Sequence, residues 1–121
     1  MGDILTIGYN TEMSQFVADQ LAGFNQGRRR NGRLFFQDGT RLIPARWGGT
    51  YPDFENLFLE GLRFSQVFIA DDSRMRIMGK VGRYIRVLYY LMKYSDIPVE
   101  YQVSILNIDT WESRFVYDWK L

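Results

Sequence analysis

Asp3-Ile4-Leu5-Thr6-Ile7-Gly8-Tyr9-Asn10-Thr11 holds the first two elements of the chain and the junction between them. Asp3 to Tyr9 reads as a strand. Asn10 or Thr11 then caps a helix whose apolar positions Met13, Phe16, Val17, Leu21 and Phe24 follow the 3.6-residue period. Gly27 is placed to stop that helix in the left-handed conformation. Arg28, Arg29 and Arg30 come next, where positive charge complements a helix C-terminus, so the triplet reads as a solvated helix end, with ligand contact as the other reading.

Outward from this unit, Arg33 to Gln37 and Thr40 to Ile43 flank Asp38-Gly39, a pair that supplies the positive φ values of a two-residue type I′ hairpin. In that register Phe35 faces Leu42 on one side and Leu34 faces Ile43 on the other. A ribbon apolar on both faces lies inside the core or is clasped by a neighbouring chain, and Pro44 suggests an edge. Trp47-Gly48-Gly49 breaks the chain, and Thr50-Tyr51-Pro52-Asp53 reads as the start of a short helix carrying Phe54, Leu57 and Phe58. Leu62 to Ala70 is expected as a strand, and the unbroken apolar run Val67-Phe68-Ile69 places it centrally in a covered sheet.

A main helix is expected over residues 73–94. Met78, Val81, Ile85, Leu88 and Met92 form its core stripe, widened by Ile77, Tyr84 and Leu91. Val87, Tyr89, Tyr90 and Tyr94 extend apolar surface beyond that stripe, which suits packing by another helix or a subunit interface. Val99, Tyr101, Val103 and Ile105 alternate with polar residues, and Phe115, Tyr117, Trp119 and Leu121 alternate with Arg114, Val116, Asp118 and Lys120. These read as two antiparallel strands with one face buried and one wet.

The chain of 121 residues has no histidine and no cysteine, while 20 residues are Phe, Tyr or Trp. Histidine and cysteine supply most activated nucleophiles and most transition-metal ligands, so the composition points to a surface that binds rather than a site that reacts. Ser and Thr lack a histidine base, and there is neither a phosphate-binding glycine loop nor a dinucleotide fingerprint. Asp71-Asp72 suits either Mg²⁺ or a helix cap. The longest wholly apolar run, Val87 to Met92, is far short of a membrane span, and no basic leader opens the chain.

Net charge is +1, unevenly spread. Residues 1–27 carry three acids and no base, residues 28–93 carry 13 bases against six acids, and residues 94–121 carry two bases against five acids. Twelve of the 15 bases are arginine, which favours bidentate contact with carboxylate or phosphate.

Ile77-Met78-Gly79-Lys80-Val81-Gly82-Arg83-Tyr84-Ile85 resembles the GxxG signature of KH domains. That resemblance, spanning residues 62–106, implies a single-stranded nucleic-acid clamp formed by Arg74, Arg76, Gly79, Lys80, Gly82, Arg83 and Arg86. A continuous helix from Ser73 to Tyr94, with its glycines at close packing or a bend, is the competing reading. The order of a leading helix, a hairpin, a strand, a long helix and a closing antiparallel pair is similar to the phage tail-terminator proteins. That resemblance implies ring assembly, with a hairpin arm reaching a neighbour.

The expected fold is α+β, one domain over residues 1–121, with a mainly antiparallel sheet packed against two principal helices and a protruding β-hairpin. The expected function is non-enzymatic: a structural, assembly or tail-joint protein that self-associates or binds other structural proteins through Leu34, Phe35, Leu42, Ile43, Tyr89, Tyr90 and Tyr94. Nucleic-acid binding through the GxxG segment is the alternative, and inhibition of a host protein a third. No cofactor, metal, small-molecule substrate or membrane is expected, and the location is cytoplasmic or virion-associated.

Overall fold

A computed structural model describes residues 3–23, 27–48, 51–53, 64–71, 89, 93 and 103–115. The elements in order are β1 (Asp3–Ile7), α1 (Thr11–Ala22), β2 (Arg28–Arg30), β3 (Arg33–Phe35), β4 (Arg41–Pro44), β5 (Trp47–Gly48), β6 (Tyr51–Pro52), β7 (Phe64–Asp71), β8 (Val103–Asn107) and β9 (Ser113–Phe115). Among the described residues seven strands form one sheet in the order β2-β3-β4-β1-β7-β8-β9, and β5 pairs with β6 separately.

The expectation of a mainly antiparallel sheet on two principal helices is corrected. The four central strands run parallel: β1 pairs with β4 on one side and β7 on the other, and β7 pairs with β8. The antiparallel pairs β2–β3, β3–β4 and β8–β9 lie towards the flanks. Among the described residues one helix, α1, is bounded. Of the helix expected over 73–94, Tyr89 and Lys93 are described, both helical and exposed, and the rest lies outside the described residues. Alternation in β8 does not reveal strand direction, because side chains alternate identically in parallel and antiparallel ladders. The apolar runs of β1 and β7 belong to central parallel strands: Leu5, Ile7, Val67 and Ile69 on one face are fully buried, while Ile4 and Phe68 on the other are half-buried.

The pairings place Ile4, Leu42 and Ala70 on one face with Leu106. Helix α1 packs there, with Ala18 and Ala22 against Leu34 and Leu42, and Val17 against Ala70 and Leu106. On the opposite face Leu5, Ile7, Ile43, Val67, Ile69 and Val103 have no solvent exposure. Each such side chain contributes about 1.5–3 kcal/mol through removal from water.

Helix α1 begins where Asn10 Oδ1 accepts the Met13 N–H at 2.8 Å. Its turn from β1 is unusually close. A Cβ on Gly8 would lie 2.4 Å from Met13 Cγ and 2.7 Å from the Met13 carbonyl carbon. Thr6 Oγ1 donates to the Ser14 carbonyl at 2.8 Å, Ser14 Oγ accepts the Gly8 N–H at 2.9 Å, and the same hydroxyl donates to the Asn10 carbonyl at 2.9 Å. The helix ends at Gly23 (φ 58°), whose N–H donates to the Asp19 carbonyl, rather than at Gly27.

The hairpin does not protrude. β4 lies between β3 and β1, so Pro44 belongs to an interior strand and occupies its final position, opposite Thr6. The register is one residue from that expected: Leu34 opposes Leu42 and Phe35 opposes Arg41. Asp38 lacks the positive φ that a type I′ turn requires. Its carboxylate instead accepts the Thr40 N–H at 2.8 Å, and the Phe36 N–H donates to the Thr40 carbonyl. Trp47–Gly48 and Tyr51–Pro52 are paired strands, not a chain break and a helix start. Phe54, Leu57 and Phe58 lie outside the described residues.

Gly8→Ala places a methyl group against helix backbone and is expected to destabilise the fold by about 1–3 kcal/mol in urea unfolding, whereas Gln20→Ala, at an exposed position of α1, changes it by less than about 0.5 kcal/mol. The Asp38 carboxyl is held below its ordinary value of 3.8 by the Thr40 backbone N–H and then by the Thr40 hydroxyl. Its support of the loop is complete above that value and disappears as pH falls through the lower folded-state value. An NMR titration of the Thr40 amide should show this transition, and Asp38→Asn should abolish it.

Candidate functional site

Asn31-Gly32 joins β2 to β3, with φ of 54° and 78°. This is the pair of left-handed residues that a two-residue type I′ turn demands, and it brings Arg30 opposite Arg33, Arg29 opposite Leu34 and Arg28 opposite Phe35. The arginine triplet is therefore a strand and not a helix end. All three arginines of β2 are exposed, and among the described residues β2 is the terminal strand of the sheet.

Alternation sends Arg28 and Arg30 to one face of this flank and Arg29 to the other. On the α1 side, the Arg29 guanidinium contacts Asp19 Oδ1 at 2.6 Å. The turn also lies against α1, since a Cβ on Gly32 would fall 2.9 Å from Gln15 Nε2. Arg46 reaches the turn from beyond β4 and donates to the Asn31 carbonyl at 3.3 Å. Arg41, further in, is held by Asp3 through two bonds of 2.6 and 2.9 Å, and the Asp3 side chain is only 5% exposed. Arg28 and Arg30 make no ion pair among the described residues. The flank thus offers two outward guanidinium groups on a braced hairpin, with Arg30 opposite a like charge, an arrangement that reduces strand-pair stability.

The interface residues expected on the ribbon take other positions. Leu34, Leu42 and Ile43 are 6%, 4% and 0% exposed within the chain's own core, and Phe35 is half-buried. Tyr89 is exposed, while Tyr90 and Tyr94 lie outside the described residues. So do Arg74, Arg76, Gly79, Lys80, Gly82, Arg83 and Arg86, the whole of the expected nucleic-acid clamp. Asp71 ends β7, and Asp72 lies outside the described residues.

Two other surface features were not legible in the periodicity. An open groove of about 570 Å³ lies over Ile4, Leu42 and Phe68, walled by Leu21 and Phe36, with Gln66 in its lining. It offers apolar surface and amides rather than a cluster of titratable groups. Exposed Phe16 on α1 meets exposed Trp111 in the β8–β9 turn, with ring centroids 6.1 Å apart. Trp111 has φ of 61°, an outlying conformation for so bulky a residue. Among the described residues no group of acids could hold a metal ion, and no helix is long and apolar enough to cross a membrane.

Both partners of the Arg29–Asp19 pair are about half exposed, so Asp19→Asn is expected to change stability by less than about 1 kcal/mol in urea unfolding. No protein-family model, characterised protein or solved structure matches this chain.

Proposed function

We propose that the chain acts without catalysis, as a structural component that joins a larger assembly by docking a carboxylate-bearing surface of a partner protein on its arginine flank. The observation that carries this reading is the run of three exposed arginines, Arg28, Arg29 and Arg30, on the strand that ends the sheet among the described residues. A planar guanidinium matches a carboxylate through two parallel hydrogen bonds, and arginine is enriched among the residues that dominate interface energetics. The apolar ribbon is not offered as the docking surface, because its leucines and Ile43 serve the chain's own core.

Fluorescence anisotropy with labelled polyglutamate and labelled single-stranded DNA, each at low and moderate salt, tests this reading. Wild-type protein should bind polyglutamate in a salt-sensitive manner. The double variant Arg28→Glu/Arg30→Glu should bind at least tenfold more weakly, with unchanged far-UV dichroism. Equal binding by wild type and variant overturns the reading, and tighter binding of DNA overturns the choice of a protein partner.

A further inference from the structure

The arginine flank is a strand edge as well as a charged patch. In a hairpin closed by a two-residue turn, the residues flanking the turn form a hydrogen-bonded pair, and paired and unpaired positions then alternate along the ladder. Arg30 and Arg33 flank Asn31-Gly32, so Arg29, one step further, directs its backbone N–H and C=O away from β3 towards the open side of β2. An extended segment lying along that side would find a donor and an acceptor from one residue. On one face of the sheet it would also find the Arg28 and Arg30 side chains, two residues apart.

We propose that β2 accepts an added strand from a partner, an extended acidic segment whose carboxylates recur at every second residue. This rests on the arginine-flank reading and specifies its mode of binding. The charge pattern selects the occupant. On the face of Arg28 and Arg30 no carboxylate of the described residues pairs with either arginine, whereas on the other face Asp19 neutralises Arg29 at 2.6 Å. Acids are therefore favoured on one face of the incoming strand and neutral residues on the other. A second copy of β2 is the wrong occupant, because pairing the two edges would bring like-charged guanidinium rows together.

The test compares labelled Glu-Thr-Glu-Thr-Glu-Thr with the same peptide N-methylated at alternate residues, choosing in two versions either the glutamates or the threonines. Methylation removes backbone donors and obstructs one edge while charge is retained. The unmodified peptide should bind at least tenfold more tightly than the more weakly bound methylated version, and the Arg29 amide should exchange more slowly with deuterium in the complex. If all three peptides bind equally and Arg29 exchange is unchanged, strand addition is overturned while the arginine flank stands. If none binds, and polyglutamate also fails to distinguish wild type from Arg28→Glu/Arg30→Glu, both readings fall.

Discussion

The approach of α1 to the end of β1 is the constraint on which the sheet depends. Where Gly8 meets Met13 there is no room for a side chain, and the resulting turn lays α1 across the strands that flank β1. The Ser14 hydroxyl then serves two backbone groups at once, accepting from Gly8 and donating to the Asn10 carbonyl. Because Ser14 and Thr6 are fully buried, these hydrogen bonds satisfy polar groups that would otherwise cost about 1–3 kcal/mol each to leave unpaired. Trp47 joins the same junction from beyond β4: its indole N–H donates to the Gly8 carbonyl and its backbone N–H to Thr11 Oγ1.

From this fixed centre the sheet ends differently on its two sides. On the β2 side the edge is a charged hairpin braced on α1 by the Arg29–Asp19 pair and the close approach of Gly32 to Gln15. On the other side β9 carries exposed Phe115, and the turn before it places Trp111 against Phe16. That turn is held by Asn107, whose side-chain oxygen accepts from Asp109 and Thr110 and whose carbonyl accepts from Trp111. The β2 border thus carries a run of arginines, while the β9 border combines exposed aromatic rings with Asp109, Glu112 and Arg114, and the apolar ribbon is used internally.

Residues whose local chemistry agreed with their tertiary setting could be read directly. Asn10 caps α1, the run through Val67 and Ile69 lies in a central strand, and β8 reverses into β9. Direction was harder to read: the alternation around Val103 and Ile105 is the same whichever way β8 runs, and its parallel pairing with β7 emerges only in the fold. Asp38-Gly39 and Asn31-Gly32 carry similar turn chemistry, but Asp38 spends its carboxylate on Thr40 while Asn31 adopts the left-handed conformation. The second pair was the legible signal for β2. The arginines before it equally suit the end of a helix, but α1 closes earlier, at Gly23. Burial of Leu34 and Leu42 likewise became visible only when α1 was seen lying over them.

The parallel placement of β1 also imposes an order on assembly. β1 is the first described strand along the chain, yet its partners β4 and β7 begin at residues 41 and 64. The β2–β3–β4 meander can close through short connections, whereas the centre of the sheet must wait for distant segments to meet, a topology associated with slow folding. During synthesis on a ribosome, β1 and α1 emerge before either ladder partner, so the backbone edges of β1 stay unpaired until β4 and β7 follow.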